Sequence, residues 1–420
     1  MIILETFIGS VCENGFRVRE LIMKLSGIAA AALCAVLCVS FSACTEKSAA
    51  EPNETTISST EEKTVKTVIA DSSNVKQLGR TYLMDNTLWL AFSGTGIDFS
   101  YTGKKLALDF AGDGTSEIKD NNENYARFAV YVDGERVADE VMDQPSKTVT
   151  AFESDEAKTV NVRVVKLSEA AMSTMGIKPI TVAGDETITP TEPKTHKIEF
   201  VGDSITCGYG VDDEDENHHF STATEDVTKA YSYKTAEALD ADYSMVSLSG
   251  HGIISGWTDD PSVKKDSQTM PKFYNKVGFS YGQFAKTKSP SALTWEFSEY
   301  VPDVIVINLG TNDDSYCKSD ADKQQEYTDT YVEFLKKIRD KNPDATIFCT
   351  LGIMGQNLFP AVQKAADAYT AETGDTNIHT FMFSSQDGSL GYAADWHPTA
   401  ATHDKAAEEL TAEIRSVMGW

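Results

Sequence analysis

Four short turn-like stretches of this 420-residue chain carry side chains able to perform acyl transfer. Ser204 follows Gly202-Asp203. Gly250 stands in Ser249-Gly250-His251-Gly252, Asn312 in Gly310-Thr311-Asn312-Asp313, and His397 in Asp395-Trp396-His397-Pro398-Thr399. A serine hydroxyl is a weak nucleophile and needs an adjacent base. Histidine is the natural base near neutral pH, and His397 is held at a turn by the proline after it. Attack on an ester carbonyl develops an oxyanion, which needs donors arranged in advance. The backbone N–H groups of Ser204 and Gly250 and the side-chain amide of Asn312 are the candidates, with glycine at 250 allowing close approach of a substrate. Taken singly, Ser204 and Asn312 are ordinary turn formers. Their meaning depends on whether the fold brings the four stretches together.

The surrounding pattern predicts that it does. Residues 196–420 alternate apolar strands with amphipathic helices. PDVIVINLGTND is a continuous β-branched run, the mark of a strand buried on both faces. QQEYTDTYVEFLKKIRDKNP is a helix stopped by Asn-Pro. Such alternation builds a parallel sheet with helices on both faces, an α/β fold, and ligands bind outside the carboxyl ends of its strands. Residues 67–183 have the period of two that marks strands, broken by Gly-rich turns. Asp133-Gly134 is a strong hairpin signal. A β-sandwich, specifically a jelly roll, is expected there, with a Thr/Pro/Glu-rich linker at 184–195.

GDSITCGYG, SGHG, GTND and DWHPT resemble, in order, the four sequence blocks of the SGNH (GDSL) hydrolases. That resemblance implies Ser204 as nucleophile, His397 as base, and Ser204, Gly250 and Asn312 around the oxyanion, with Gly250 preferred to Gly252. The sandwich, with LWLAFSGTGIDFSYTGKKL, YVDGERV and VKLSEAAMSTMGIK, is similar to the N-terminal jelly roll of carbohydrate esterase family 2. The resemblance covers nearly all of residues 67–420. It implies a flavodoxin-like SGNH domain behind a jelly roll, and removal of acetyl groups from plant polysaccharides such as xylan and glucomannan without a cofactor or metal. One position departs from the wider superfamily: the aspartate stands two residues before the histidine, at Asp395, and Ala394 occupies the usual place. Either Asp395 or a backbone carbonyl then orients His397. Unless shifted, the base should titrate near the free histidine value of about 6.5.

Other features have plainer readings. His251 is a candidate for lining the acyl pocket, its plainer reading being a partly exposed loop residue; Trp257 and Trp396 are candidates for stacking on a sugar ring, their plainer reading being packing against the sheet edge. The run VDDEDENHH at 211–219 lacks calcium-loop and zinc spacing, and reads as a solvated acidic loop beside the cleft. With 37 basic and 64 acidic residues, net −27, the surface is repelled by nucleic acid.

At the front, residues 23–43 form a secretory signal of the lipoprotein type ahead of Cys44, the predicted lipidation site. Residues 1–22 read as an upstream extension and 44–66 as a solvated tether. The expectation is an exported monomer, lipid-anchored at the cell surface or else secreted, acting on acetylated polysaccharide. The alternatives are a non-catalytic carbohydrate-binding surface protein and a lipolytic GDSL esterase.

Overall fold

The β-branched run Val304–Asn308, buried at every residue, forms the centre of a five-stranded parallel sheet. The computed structural model describes residues 64–420; the signal stretch, Cys44 and residues 44–63 of the tether lie outside them. The sheet order is Ala241–Ser247, His196–Gly202, Val304–Asn308, Thr346–Leu351 and Ile378–Met382. Its register places Gly202 beside both Ser247 and Asn308. The turns after these three strands therefore open at one edge, and they carry Ser204, Gly250 and Asn312.

Helices cover the sheet as their spacing predicts. Ala321–Lys341 buries Tyr327, Tyr331, Phe334, Leu335 and Ile338, and Asp320 caps its first turn. Phe359–Thr373 ends at Gly374 in the left-handed region, the usual stop. Ala400–Met418 is capped by Thr399, two residues past His397, so the last helix anchors the histidine turn.

The front half is antiparallel. Gly96–Gly112 pairs along most of its length with Ser146–Lys166. Arg127–Val132 and Glu135–Val141 form the expected hairpin, with positive φ at both Asp133 and Gly134. Leu88, Phe99, Phe110, Phe128 and Val162 are fully buried between the layers. The expected linker is different in part: Thr187–Pro190 is a strand paired with Phe99–Thr102. Its β-branched Thr-Ile-Thr suits an edge, and Pro190, which has no N–H to offer, ends it. A further short strand, Val65–Val68, starts within the stretch read as tether and pairs with Ile180–Ala183.

Sandwich and parallel sheet share their cores. One apolar cluster joins Trp89, Phe92 and Ala170 to Val201, Val246 and Ile307; a second joins Leu78, Val165 and Leu167 to Phe200 and Met245. Between them lies a fully buried ion pair. Arg80, from the sandwich, bonds Glu199 Oε2 at 3.0 Å and the carbonyls of Tyr274 and Lys276. The rings of Tyr274, Trp295 and Phe297 surround the guanidinium. Glu199 sits mid-strand in a run that reads as apolar from the sequence.

Candidate active site

Ser204 opens a one-turn helix, Ser204–Cys207, directly after the His196–Gly202 strand. Asp203 caps this turn through Ile205 N–H at 3.1 Å, and Gly208 closes it in the left-handed region at φ +78°. The sharp exit leaves the Ser204 side chain at the sheet edge. There Ser204 Oγ lies 2.9 Å from His397 Nε2. These atoms meet across 193 residues of sequence, as the spacing of the motifs predicts.

The other ring nitrogen answers the question Asp395 left open. His397 Nδ1 lies 3.2 Å from the carbonyl oxygen of Ala394 and 3.1 Å from that of Asp395. Both partners only accept, so Nδ1 carries the proton and Nε2 is left to accept from the serine hydroxyl. The Asp395 carboxylate faces away. It takes bonds from the Tyr209 hydroxyl at 2.6 Å, the Phe220 N–H at 3.1 Å and His219 Nδ1 at 2.9 Å. Asp395 as a side-chain member of a triad is therefore corrected to a backbone contribution. The cause is local: Asp395 and Trp396 both adopt positive φ, +51° and +62°, which turns two successive carbonyls onto the imidazole.

Burial lowers His397 to about 4, against the opposing pull of its two carbonyl bonds. The Asp395 carboxyl is raised by burial, but the bonds from Tyr209, His219 and Phe220 outweigh this and hold it below the ordinary carboxylate range.

On the oxyanion side, Gly250 has φ +72°, and the space where a side chain would project is open. Gly252 is tightly packed, since a Cβ there would meet Ser255 O and the Asp313 carboxylate. Among the described residues, the N–H groups of Ser204 and Gly250 donate to no acceptor. Unpaired N–H groups of this kind are what a developing oxyanion requires. Asn312 is buried, with Nδ2 3.1 Å from Asp203 Oδ2 and 3.0 Å from the His251 carbonyl. An arriving oxyanion must share one of these hydrogens. Asp313, its neighbour, gathers the N–H groups of Ile253, Ile254 and Ser255 and so shapes the loop behind Gly250.

The substrate-contact candidates separate. Trp257 and Trp396 are half-exposed, at 56% and 53%. The backbone N–H of Trp257 donates to Gly250 O at 2.9 Å, so Trp257 flanks the Ser249-Gly250 turn, and Trp396 precedes the histidine. His251 is buried, its ring against Phe273 and Phe279 and Nδ1 2.9 Å from Ser249 O. It belongs to the supporting wall and is neither an exposed loop residue nor placed as a sugar contact.

The acidic loop is also better anchored than its composition predicts. Asp212 pairs with Arg127 of the sandwich at 2.7 Å, and the Asp395 N–H donates to His218 O at 2.9 Å. Tyr209 is a residue that sequence reasoning missed. Its ring stacks on His397 with centroids 3.8 Å apart and planes 20° from parallel. An aromatic side chain five residues after the serine, inside a glycine-rich turn, is the signal that points to it.

The arrangement sets a serine hydroxyl against an imidazole nitrogen beside two backbone N–H groups that donate to no acceptor, a set of the kind acyl transfer needs. Comparison with known proteins gives the families that the chain resembles. The GDSL-like Lipase/Acylhydrolase family matches residues 200–405, and the Carbohydrate esterase 2 N-terminal domain matches residues 77–193. The chain is 31% identical over 337 residues to the cellulase/esterase CelE of Acetivibrio thermocellus, covering 79% of this chain but only 38% of that protein. It is 29% identical to an acetylxylan esterase / glucomannan deacetylase of Cellvibrio japonicus, covering 84% of this chain and 92% of the other. A family two carbohydrate esterase from Clostridium thermocellum, solved with cellohexaose, superposes with a TM-score of 0.69 at 29% identity, covering 82% of this chain and 99% of that one.

Proposed function

The chain belongs to carbohydrate esterase family 2, a family of carboxylic ester hydrolases, and from that premise we propose that it is an exported serine esterase removing O-acetyl groups from xylan or glucomannan. The observation that carries this reading is the 2.9 Å contact between Ser204 Oγ and His397 Nε2 beside two unoccupied N–H donors.

In this reading Ser204 Oγ attacks the acetyl carbonyl carbon as His397 Nε2 takes its proton. The carbonyl oxygen becomes an anion held by the N–H groups of Ser204 and Gly250 and by Asn312. Collapse breaks the bond to the sugar oxygen, which leaves with the proton from His397. Water then gives a proton to the same imidazole and attacks the acyl-serine; the bond to Ser204 Oγ breaks, Oγ takes the proton back from His397 Nε2, and acetate departs. The carbonyls of Ala394 and Asp395 stabilise the imidazolium that forms twice in the cycle.

The exposed faces of Trp257 and Trp396 favour a sugar ring as the leaving group, since flat apolar surfaces stack on pyranose faces. The signal stretch and Cys44 support export with a lipid anchor. The test is acetate release from acetylated xylan and glucomannan, with acetyl and octanoyl esters of p-nitrophenol side by side. Strong preference for the octanoyl ester would indicate a lipolytic enzyme, and no turnover of any ester would indicate a carbohydrate-binding protein.

Two further outcomes are expected. An imidazole accepts a proton only when neutral, so activity falls as pH drops through its pKa. With burial lowering His397 to about 4, kcat/KM is expected to stay level down to about pH 5 and to halve near the lowered value instead of near the free value of about 6.5. A pH–rate profile checks this, and a midpoint at the free histidine value would mean that burial does not govern the base. For the orienting group, Asp395→Asn costs less than about tenfold in kcat, because the carbonyls on Nδ1 remain; a true triad carboxylate would cost about 10⁴-fold.

A further inference from the structure

The stretch that leaves the long Ser146–Lys166 strand carries charge to the back of the oxyanion turn. Lys166, Glu169 and Glu225 are fully buried there. Glu169 Oε2 accepts the Ser249 N–H at 2.9 Å, and the Glu169 N–H donates to Glu225 Oε2 at 2.7 Å. Lys166 Nζ bonds the carbonyls of Ser168 and Glu169, each at 2.7 Å.

The remaining oxygens, Glu169 Oε1 and Glu225 Oε1, have no partner. A carboxylate oxygen from each glutamate and Cys207 Sγ all lie within 4.8 Å of one another. Two buried carboxylates this close cannot both ionise cheaply. Burial raises the pKa of both, Glu225 strongly. One shared proton together with the Lys166 ammonium leaves the group neutral. The ammonium already supplies the positive charge that a bound cation would bring, so the cluster is a brace and not a metal centre.

The brace acts on one turn. His251 N–H closes that turn onto Leu248 O at 3.3 Å, with Gly250 at positive φ. In such a turn the two central N–H groups take no part in the closure. The Ser249 N–H points inward to Glu169, and the Gly250 N–H donates to no acceptor among the described residues. We propose that Glu169 is a positioning residue of the esterase: the sandwich, through this carboxylate, fixes the Ser249-Gly250 turn so that the Gly250 N–H meets the oxyanion. The proposal rests on the esterase reading above and assigns the sandwich a part in its catalysis.

The test compares Glu169→Leu with Glu169→Gln. Leucine fills the volume, removes the acceptor and leaves Lys166 bonded to the carbonyls of residues 168 and 169, with the charge of Glu225 nearby. Glutamine keeps an oxygen for Ser249, and its amide can replace the shared proton. Glu169→Leu lowers kcat on p-nitrophenyl acetate by about 30- to 100-fold with KM within about threefold, the signature of a loosened oxyanion donor. Glu169→Gln keeps at least about a third of kcat, since the hydrogen bond survives. Labelling of Ser204 by a fluorophosphonate, which also builds charge at the oxyanion position, follows the same order.

A Leu variant with the wild-type rate in both assays, or a Gln variant as slow as Leu, overturns the proposal. Should Glu169→Leu not fold, deuterium exchange in the wild-type chain decides: a Ser249 amide protected for minutes upholds the bond, and exchange within seconds overturns it. A wild type that labels at Ser204 with this Leu/Gln contrast but releases no acetate sinks the deacetylase reading and leaves the brace standing.

Discussion

Ser204→Ala is expected to end acetate release, with kcat lower by at least about 10⁴-fold, while binding of acetylated xylan stays within a few-fold of wild type. Removing a nucleophile that acts as a unit with its base costs about as much as removing the pair, because no other group forms the acyl intermediate. Among the described residues Ser204 is the hydroxyl bonded to His397 Nε2. The side chain is small and nearly buried, so alanine leaves the turn's cap at Asp203 and Ile205 in place. Steady-state release of acetate together with a pull-down on insoluble xylan separates the two effects. Residual turnover within about a hundredfold of wild type would exclude Ser204 as nucleophile. Loss of binding together with loss of turnover would mean that the turn itself had collapsed.

Asn312→Ala should lower kcat by about 10²- to 10³-fold with little change in KM, the usual cost of deleting one oxyanion donor. Its amide is held between Asp203 Oδ2 and the His251 carbonyl, so it is already oriented when the charge develops. Preorganisation of this kind favours the transition state and not the ground state. A kcat loss below about threefold on p-nitrophenyl acetate would show that the two backbone amides suffice, and a change confined to KM would assign Asn312 to ground-state binding.

The sheet and its catalytic edge were legible because their signals are local and strong. Residues 304–307 run Val-Ile-Val-Ile without a polar break, and each glycine-bearing turn follows a strand whose register the parallel sheet then aligns. What escaped the sequence depends on three-dimensional detail. The orienter of His397 is set by positive φ at Asp395 and Trp396, two residues that carry no glycine-like mark, so side chain and backbone could not be told apart beforehand. The low pKa of the base follows from burial, which spacing does not report. Thr187–Pro190 resembled a linker because threonine and proline serve strands and loops alike. Glu169 and Glu199 were hidden for the opposite reason: single charges become meaningful only when their distant partners, Ser249 and Glu225 for the first and Arg80 for the second, are placed beside them.

Arg80 decides how this molecule can be divided. A version beginning at the parallel sheet would keep Glu199 inside the protein with its cation gone, and stranding one member of a buried pair costs roughly 3–5 kcal/mol, a large share of the total stability of an ordinary domain. The front half is therefore not a detachable accessory that could be trimmed or swapped for another sugar-binding module. Melting should run as one cooperative event across both halves, and any ancestor that gained or lost the sandwich had to rebuild the hydrolase interior at the same time.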